Sequence, residues 1–228
     1  MPKNIKVNHG KIKSNDKLSV KLSFGEEVAN AITHGIASLL VLCSMPLVSI
    51  TAYRKGSTID VVGVSIFSIS IFFMFLMSTL YHVMEPETKH KKIMRIMDHI
   101  FIYVAIAGTY TPIALSVIGG WQAIVILVIQ WSMVLFGILY KSLSKQSIPK
   151  ISLLIYLIMG WTIIIFMPLF VNKANSTLFW LIFIGGIFYT VGAAIYAKKG
   201  FKYHHMIWHL FVFLGAFAHF VGICFFMY

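Results

Sequence analysis

The sequence predicts an all-α integral membrane protein, a seven-transmembrane-helix bundle with a cytoplasmic N-terminus and an extracytoplasmic C-terminus. Three observations lead there. Of 228 residues, 59% are hydrophobic and only 11% charged, where a soluble domain carries about 25% charged residues. Apolar runs recur roughly every 30 residues, and each approaches the roughly 20 residues that cross a bilayer as a helix. Strand-like alternation is absent, so the runs are helices whose backbone polar groups pair internally.

The elements follow in order. Residues 1–23 form a basic cytoplasmic tail, MPKNIKVNHGKIKSNDKLSVK and the two residues after it. No short apolar core with a small-residue cleavage site follows, so no signal peptide is expected. Residues 24–228 form the membrane domain. Its first span covers 28–52, and Glu27, Asn30 and His34 share one helical face at its start. They line a cavity or hydrogen-bond to neighbouring helices; the pattern leaves both open. The second span, 59–82, ends in STLYH. The third, 97–117, opens on Asp98, and Gly108 and Pro112 should bend or thin it. The fourth, fifth and sixth cover 119–140, 151–170 and 177–197. The seventh, 205–227, carries His205, His209 and His219. Cys43 and Cys224 lie in apolar spans and read as free, packed thiols.

Orientation follows from counting charge. Sixteen Lys and Arg fall in the tail and in the loops at 83–96, 141–150 and 198–204. Only Arg54, Lys55 and Lys173 fall on the other side. The positive-inside rule therefore places the N-terminus in the cytoplasm. This explains the excess of 19 basic over 7 acidic residues through topology and lipid headgroups. No nucleic acid partner is expected; membrane lipids are, in a multi-pass protein of the cell membrane. Oligomeric state is not legible.

The polar residues then acquire a depth. His82 ends the second span, Asp98 begins the third, and His205 and His209 begin the seventh, all at the cytoplasmic end. Intramembrane ionisable groups are costly and functional by default. His205 and His209, four apart, stack on one helix face about 6 Å apart and can share a metal ion. His82 can add a third nitrogen from a neighbouring helix, which with a water makes a zinc site with an open position. Asp98 can hold or deprotonate that water, or orient a ligand imidazole. Ser78, one turn before His82, can hydrogen-bond the water or a substrate oxygen. Blander readings stand beside these: interfacial His anchors, Ser78 as packing filler, Asp98 as a cap of the third helix. His219 lies about 21 Å along the helix from His205 and is expected to pack or to bond on the outer side. His99 points away from Asp98, and His204 is expected to face solvent or headgroups.

The motifs S-x-x-x-H at 78–82, Asp at the start of the third span, and H-x-x-x-H at 205–209 resemble the signature of the progestin and adipoQ receptor superfamily. EEVANAITHG, STLYH, DHIFIYVAIAGTYTP and HMIWHLFVFLGAFAHF resemble, in order, its bacterial hemolysin III branch from Glu26 onward. The resemblance implies seven helices with the N-terminus inside, in agreement with the charge count. It also implies zinc held by His82, His205 and His209, with Asp98 and Ser78 around the metal-bound water. The superfamily is related to alkaline ceramidases, which are membrane amide hydrolases.

Four functions compete. A zinc-dependent hydrolase would act on a lipid amide or ester at the cytoplasmic side, with Asp98 as general base or holding the water and Ser78 beside it. A sensor or regulator would use zinc as a staple between the second and seventh helices. A haemolysin is what the family's name suggests, although a chain with seven spans should stay in the membrane where it was made. A transporter would carry polar residues through the full depth, and here they cluster at one end.

Overall fold

The computed structural model describes residues 22–144, 148–198 and 201–227. All but two residues of the expected tail, and Lys145 and Lys199 of the expected loops, lie outside that range. Seven helical spans are long and apolar enough to cross a membrane, and no strand occurs among the described residues. They are α1 (Phe24–Lys55), α2 (Thr58–Val83), α3 (Lys89–Pro112), α4 (Gly120–Leu143), a fifth span built from α5 (Pro149–Trp161) and α6 (Met167–Lys173), α7 (Ser176–Lys198) and α8 (His204–Phe226).

Helix starts are set by side chains that hydropathy does not weigh. Ser23 and Glu26 form a capping box at α1, and Ser57 and Asp60 form another at α2. Each satisfies backbone donors that the helix leaves unpaired. α3 begins eight residues before the expected edge, because the Thr88 hydroxyl accepts from Lys91 N at 3.1 Å. The run KHKKIMRIM is therefore helical, and Asp98 is the tenth residue of α3 rather than its cap. Hydropathy marks where a helix becomes apolar, whereas hydrogen bonding decides where it begins.

Two irregular stretches shape the interior. After Pro112 the third span widens into a π-helical stretch, Ile113–Ile118, closed by Gly119 N donating to Ala114 O at 2.8 Å. Gly119 then turns at φ 64°, a conformation natural to glycine. Gly108, expected to bend or thin the third span, marks a close approach. A Cβ there would collide with Ser70 Oγ, so α2 and α3 touch through missing side-chain volume.

The fifth span breaks into a 3-10 stretch, Thr162–Phe166, which hydropathy did not foreshadow. Pro168 offers no N–H and crowds the turn before it. Neighbouring helices satisfy the freed backbone. Tyr110 Oη donates to Gly160 O at 2.7 Å and accepts from Ile163 N at 2.8 Å. Gln130 Nε2 donates to Met159 O at 3.1 Å.

α2 packs along α1 and α3, α8 packs along α7, and α1 meets α8. In their most apolar stretches α2, the third span and α8 are 50%, 61% and 50% buried, against 22–28% for the others. The three spans that carry His82, Asp98 and the H-x-x-x-H pair are thus the central ones. Phe67, Ile71, Phe75 and Ile223 fill the space between them. Cys224 is buried as expected, whereas Cys43 is exposed on the outside of the bundle.

Candidate metal centre

The starts of α1, α3 and α8 and the end of α2 gather at one end of the bundle, where direct bonds join them. This end carries His82, Asp98, His205 and His209. His82, His205 and His209 each place a ligand-capable atom within 4.8 Å of the other two. The ring centroids are 5.1 Å apart for His82 and His205, 5.0 Å for His82 and His209, and 4.7 Å for His205 and His209. Among the described residues no fourth His, Cys, Asp or Glu joins this mutually close set.

Burial and bonding single out the atoms available for coordination. The His82 side chain is fully buried. Its Nδ1 donates to Glu27 Oε2 at 2.6 Å, and its Nε2 has no hydrogen-bond partner. A ring held so keeps its proton on Nδ1 and its lone pair on Nε2, the arrangement that metal-ligating histidines adopt. His209 Nδ1 is also buried without a partner.

The α1 residues that shared a face in the sequence all meet the site. Glu27 bridges His82 and Lys91, whose Nζ donates to Glu27 Oε1 at 2.7 Å and to Met84 O at 3.1 Å. His34 stacks on His209 with centroids 3.7 Å apart and planes 4° from parallel. Asn30 is fully buried, and neither atom of its amide has a partner. Sequence spacing placed these three together; which rings and cations they touch was set only by folding.

Ser78 and Asp98 face a cavity of about 560 Å³ that His205 and His209 also line. Ser78 is buried, and Asp98 is largely so. The ring of His99, expected to point away from Asp98, instead brings Nδ1 to 3.8 Å from Asp98 Oδ2. His99 Nδ1 itself lies 2.5 Å from Arg95 O, so His99 stays out of the histidine cluster as expected. Lys91 and Arg95 border the same cavity, which extends past Leu157 and Trp161 to His219. His219 Nε2 donates to Ile182 O at 3.0 Å, joining α8 to α7 far from the cluster.

His204 departs from expectation. It is buried rather than turned outward, with Nδ1 3.0 Å from Phe201 O. The cause is the turn before it, where Tyr203 sits at φ 63° and directs the chain inward. That turn was not legible in the sequence, because a bulky residue seldom takes a left-handed conformation.

Comparisons with known proteins agree with these motifs. Residues 22–220 match the model of a family described as Haemolysin-III related. The chain is 42% identical over 202 residues to the Hemolysin-3 homolog of Bacillus subtilis (strain 168), covering 88% of this chain and 94% of that protein. It is 38% identical over 203 residues to Hemolysin-3 of Bacillus cereus, covering 89% and 92%. It is 28% identical over 173 residues to the Monocyte to macrophage differentiation factor of Homo sapiens, covering 72% and 69%.

Proposed function

We propose that this chain, which belongs to the haemolysin III family of the progestin and adipoQ receptor superfamily and is a multi-pass cell-membrane protein, holds zinc at His82, His205 and His209 and hydrolyses a lipid amide or ester. The observation that carries the reading is a metal-competent histidine cluster opening on a cavity that also holds a carboxylate and a hydroxyl. The residues fit such an ion. Three imidazoles converge, and two of their buried ring nitrogens lack any partner within the protein. Three nitrogens with no fourth ligand among the described residues match an open zinc site better than a closed structural one.

Zinc, when bound, polarises a carbonyl and makes water a nucleophile near neutral pH. The protein's own groups complete the chemistry. Asp98 lies on the cavity outside the mutually close set, where a carboxylate can take a proton from the attacking water. The water oxygen bonds to the carbonyl carbon as that proton passes to Asp98. The proton then goes to the leaving nitrogen or oxygen as its bond to carbon breaks. Ser78 hydrogen-bonds the substrate oxygen or the water. The cavity beyond, bordered by Leu157, Trp161 and Val212, accepts an apolar chain. The basic loops put this end at the cytoplasmic face.

The test is Asp98→Asn, which preserves size and removes the base. Purified variant should retain zinc and lose turnover on a panel of amide and ester lipids. Retained zinc with unchanged turnover would refute the role of Asp98. The relatives' name, hemolysin, supplies a second reading: lysis of red cells. Lysis that persists undiminished in Asp98→Asn would separate it from hydrolysis.

A further inference from the structure

We infer that the first turn of α1 positions the histidine cluster, Glu27 by setting the His82 ring and Glu26 by setting the start of α8. The inference rests on the metal reading proposed above. Two adjacent glutamates at a helix start have an ordinary explanation in capping and the helix dipole. That explanation accounts for only one oxygen of the four. Glu26 Oε2 accepts from Ser23 N at 2.9 Å and Ser23 Oγ at 2.8 Å, which completes the cap. The other three oxygens reach across to other helices.

Glu26 Oε1 accepts from Tyr203 N at 2.9 Å, across 177 residues of sequence. Tyr203 is the residue before α8, sits at φ 63°, and provides no side-chain cap. A bulky residue in that conformation needs its surroundings to hold it. An uncapped first turn also frays readily. His205 lies in that first turn, and His209 one turn further. The carboxylate on Tyr203 N–H therefore fixes the start of the helix that carries two of the three cluster imidazoles.

Glu27 acts on the third. Oε2 accepts the Nδ1 proton of His82, which leaves Nε2 free and fixes the ring plane. Oε1 is held by Lys91 Nζ, and Lys91 also ties to Met84 O where α2 ends. The carboxylate is anchored on both sides, so the imidazole cannot rotate without breaking its hydrogen bond to a fixed, charged acceptor. Such partners of ligating histidines typically govern metal affinity by 10–100-fold. Glu26 and Glu27 are positioning residues, acting through Tyr203 and His82.

The experiment measures Zn²⁺ affinity by competition with a chelator, and the visible absorption of the Co²⁺-substituted protein. Glu27→Gln should weaken Zn²⁺ binding about 10–100-fold and shift the Co²⁺ bands. Lys91→Met removes the anchor but leaves the His82 partner, so its affinity should stay within a few-fold of wild type. Glu26→Ala should also weaken binding, and Tyr203→Gly in that background should restore part of the loss, because glycine takes the turn without strain. Wild-type protein that binds zinc while Glu27→Gln binds equally tightly, with unchanged Co²⁺ bands, would overturn the positioning role alone. Equal losses in Lys91→Met and Glu27→Gln would also overturn it, by tracing the effect to general loosening of the helix ends. Wild-type protein that binds neither ion would overturn the metal reading and this inference with it.

Discussion

Tyr110→Phe isolates the bond that holds the broken fifth span. The hydroxyl donates to Gly160 O and accepts from Ile163 N, and it is buried with its ring between spans three and five. Phenylalanine keeps the ring, so no cavity opens. What is lost is the partner of one carbonyl and one N–H inside the membrane-spanning part of the bundle. A buried hydrogen bond contributes about 0.5–1.5 kcal/mol net, and bonds between membrane helices average about 0.6. Two such bonds give an expected loss of about 1–3 kcal/mol. The assay is reversible unfolding of purified, zinc-free protein in mixed micelles. Tyr53→Phe, at an exposed site, is the control for loss of a phenolic hydroxyl. Zinc binding should be unchanged, since the histidine cluster lies near the opposite end of the cavity. A stability loss no greater than that of Tyr53→Phe would refute the account and show that other groups satisfy the break.

Three further outcomes are expected. His82→Ala, His205→Ala and His209→Ala should each lower zinc content of the purified protein, while His219→Ala, bonded instead to Ile182 O, should not; full occupancy in His205→Ala would sink the three-histidine site. Asp98→Asn should keep zinc and fold yet lose lipid turnover, because an amide is a very poor proton acceptor; loss of zinc from it would make Asp98 a ligand instead. Reporter fusions at Lys145 and after Tyr228 should give opposite signals, since the basic loops and the C-terminus are assigned to opposite faces; matching signals would mean a miscounted span.

The sequence by itself determined the spans and their number, because transfer of apolar side chains into hydrocarbon is a local sum over each run of residues. It also determined that His82, Asp98, His205 and His209 share one depth. Consecutive spans alternate direction, so the end of one, the start of the next and the start of the seventh must meet at the same side. Helical periodicity placed Glu27, Asn30 and His34 on a single face. Only the tertiary structure decided which neighbour that face meets. Glu27 and His82 are 55 residues apart, and their contact depends on how α1 rotates against α2. The inward turn at Tyr203 and the burial of His204 also arise only there, because a carboxylate from α1 stabilises a backbone conformation that local preference disfavours. The break at Thr162–Phe166 has the same origin. Pro168 supplies the local cause, but the hydroxyl of Tyr110 and the amide of Gln130, from other spans, satisfy the backbone that the break exposes. Depth is a property of a segment and its solvent, whereas rotation, strain and backbone satisfaction belong to pairs of segments that meet only in the folded bundle.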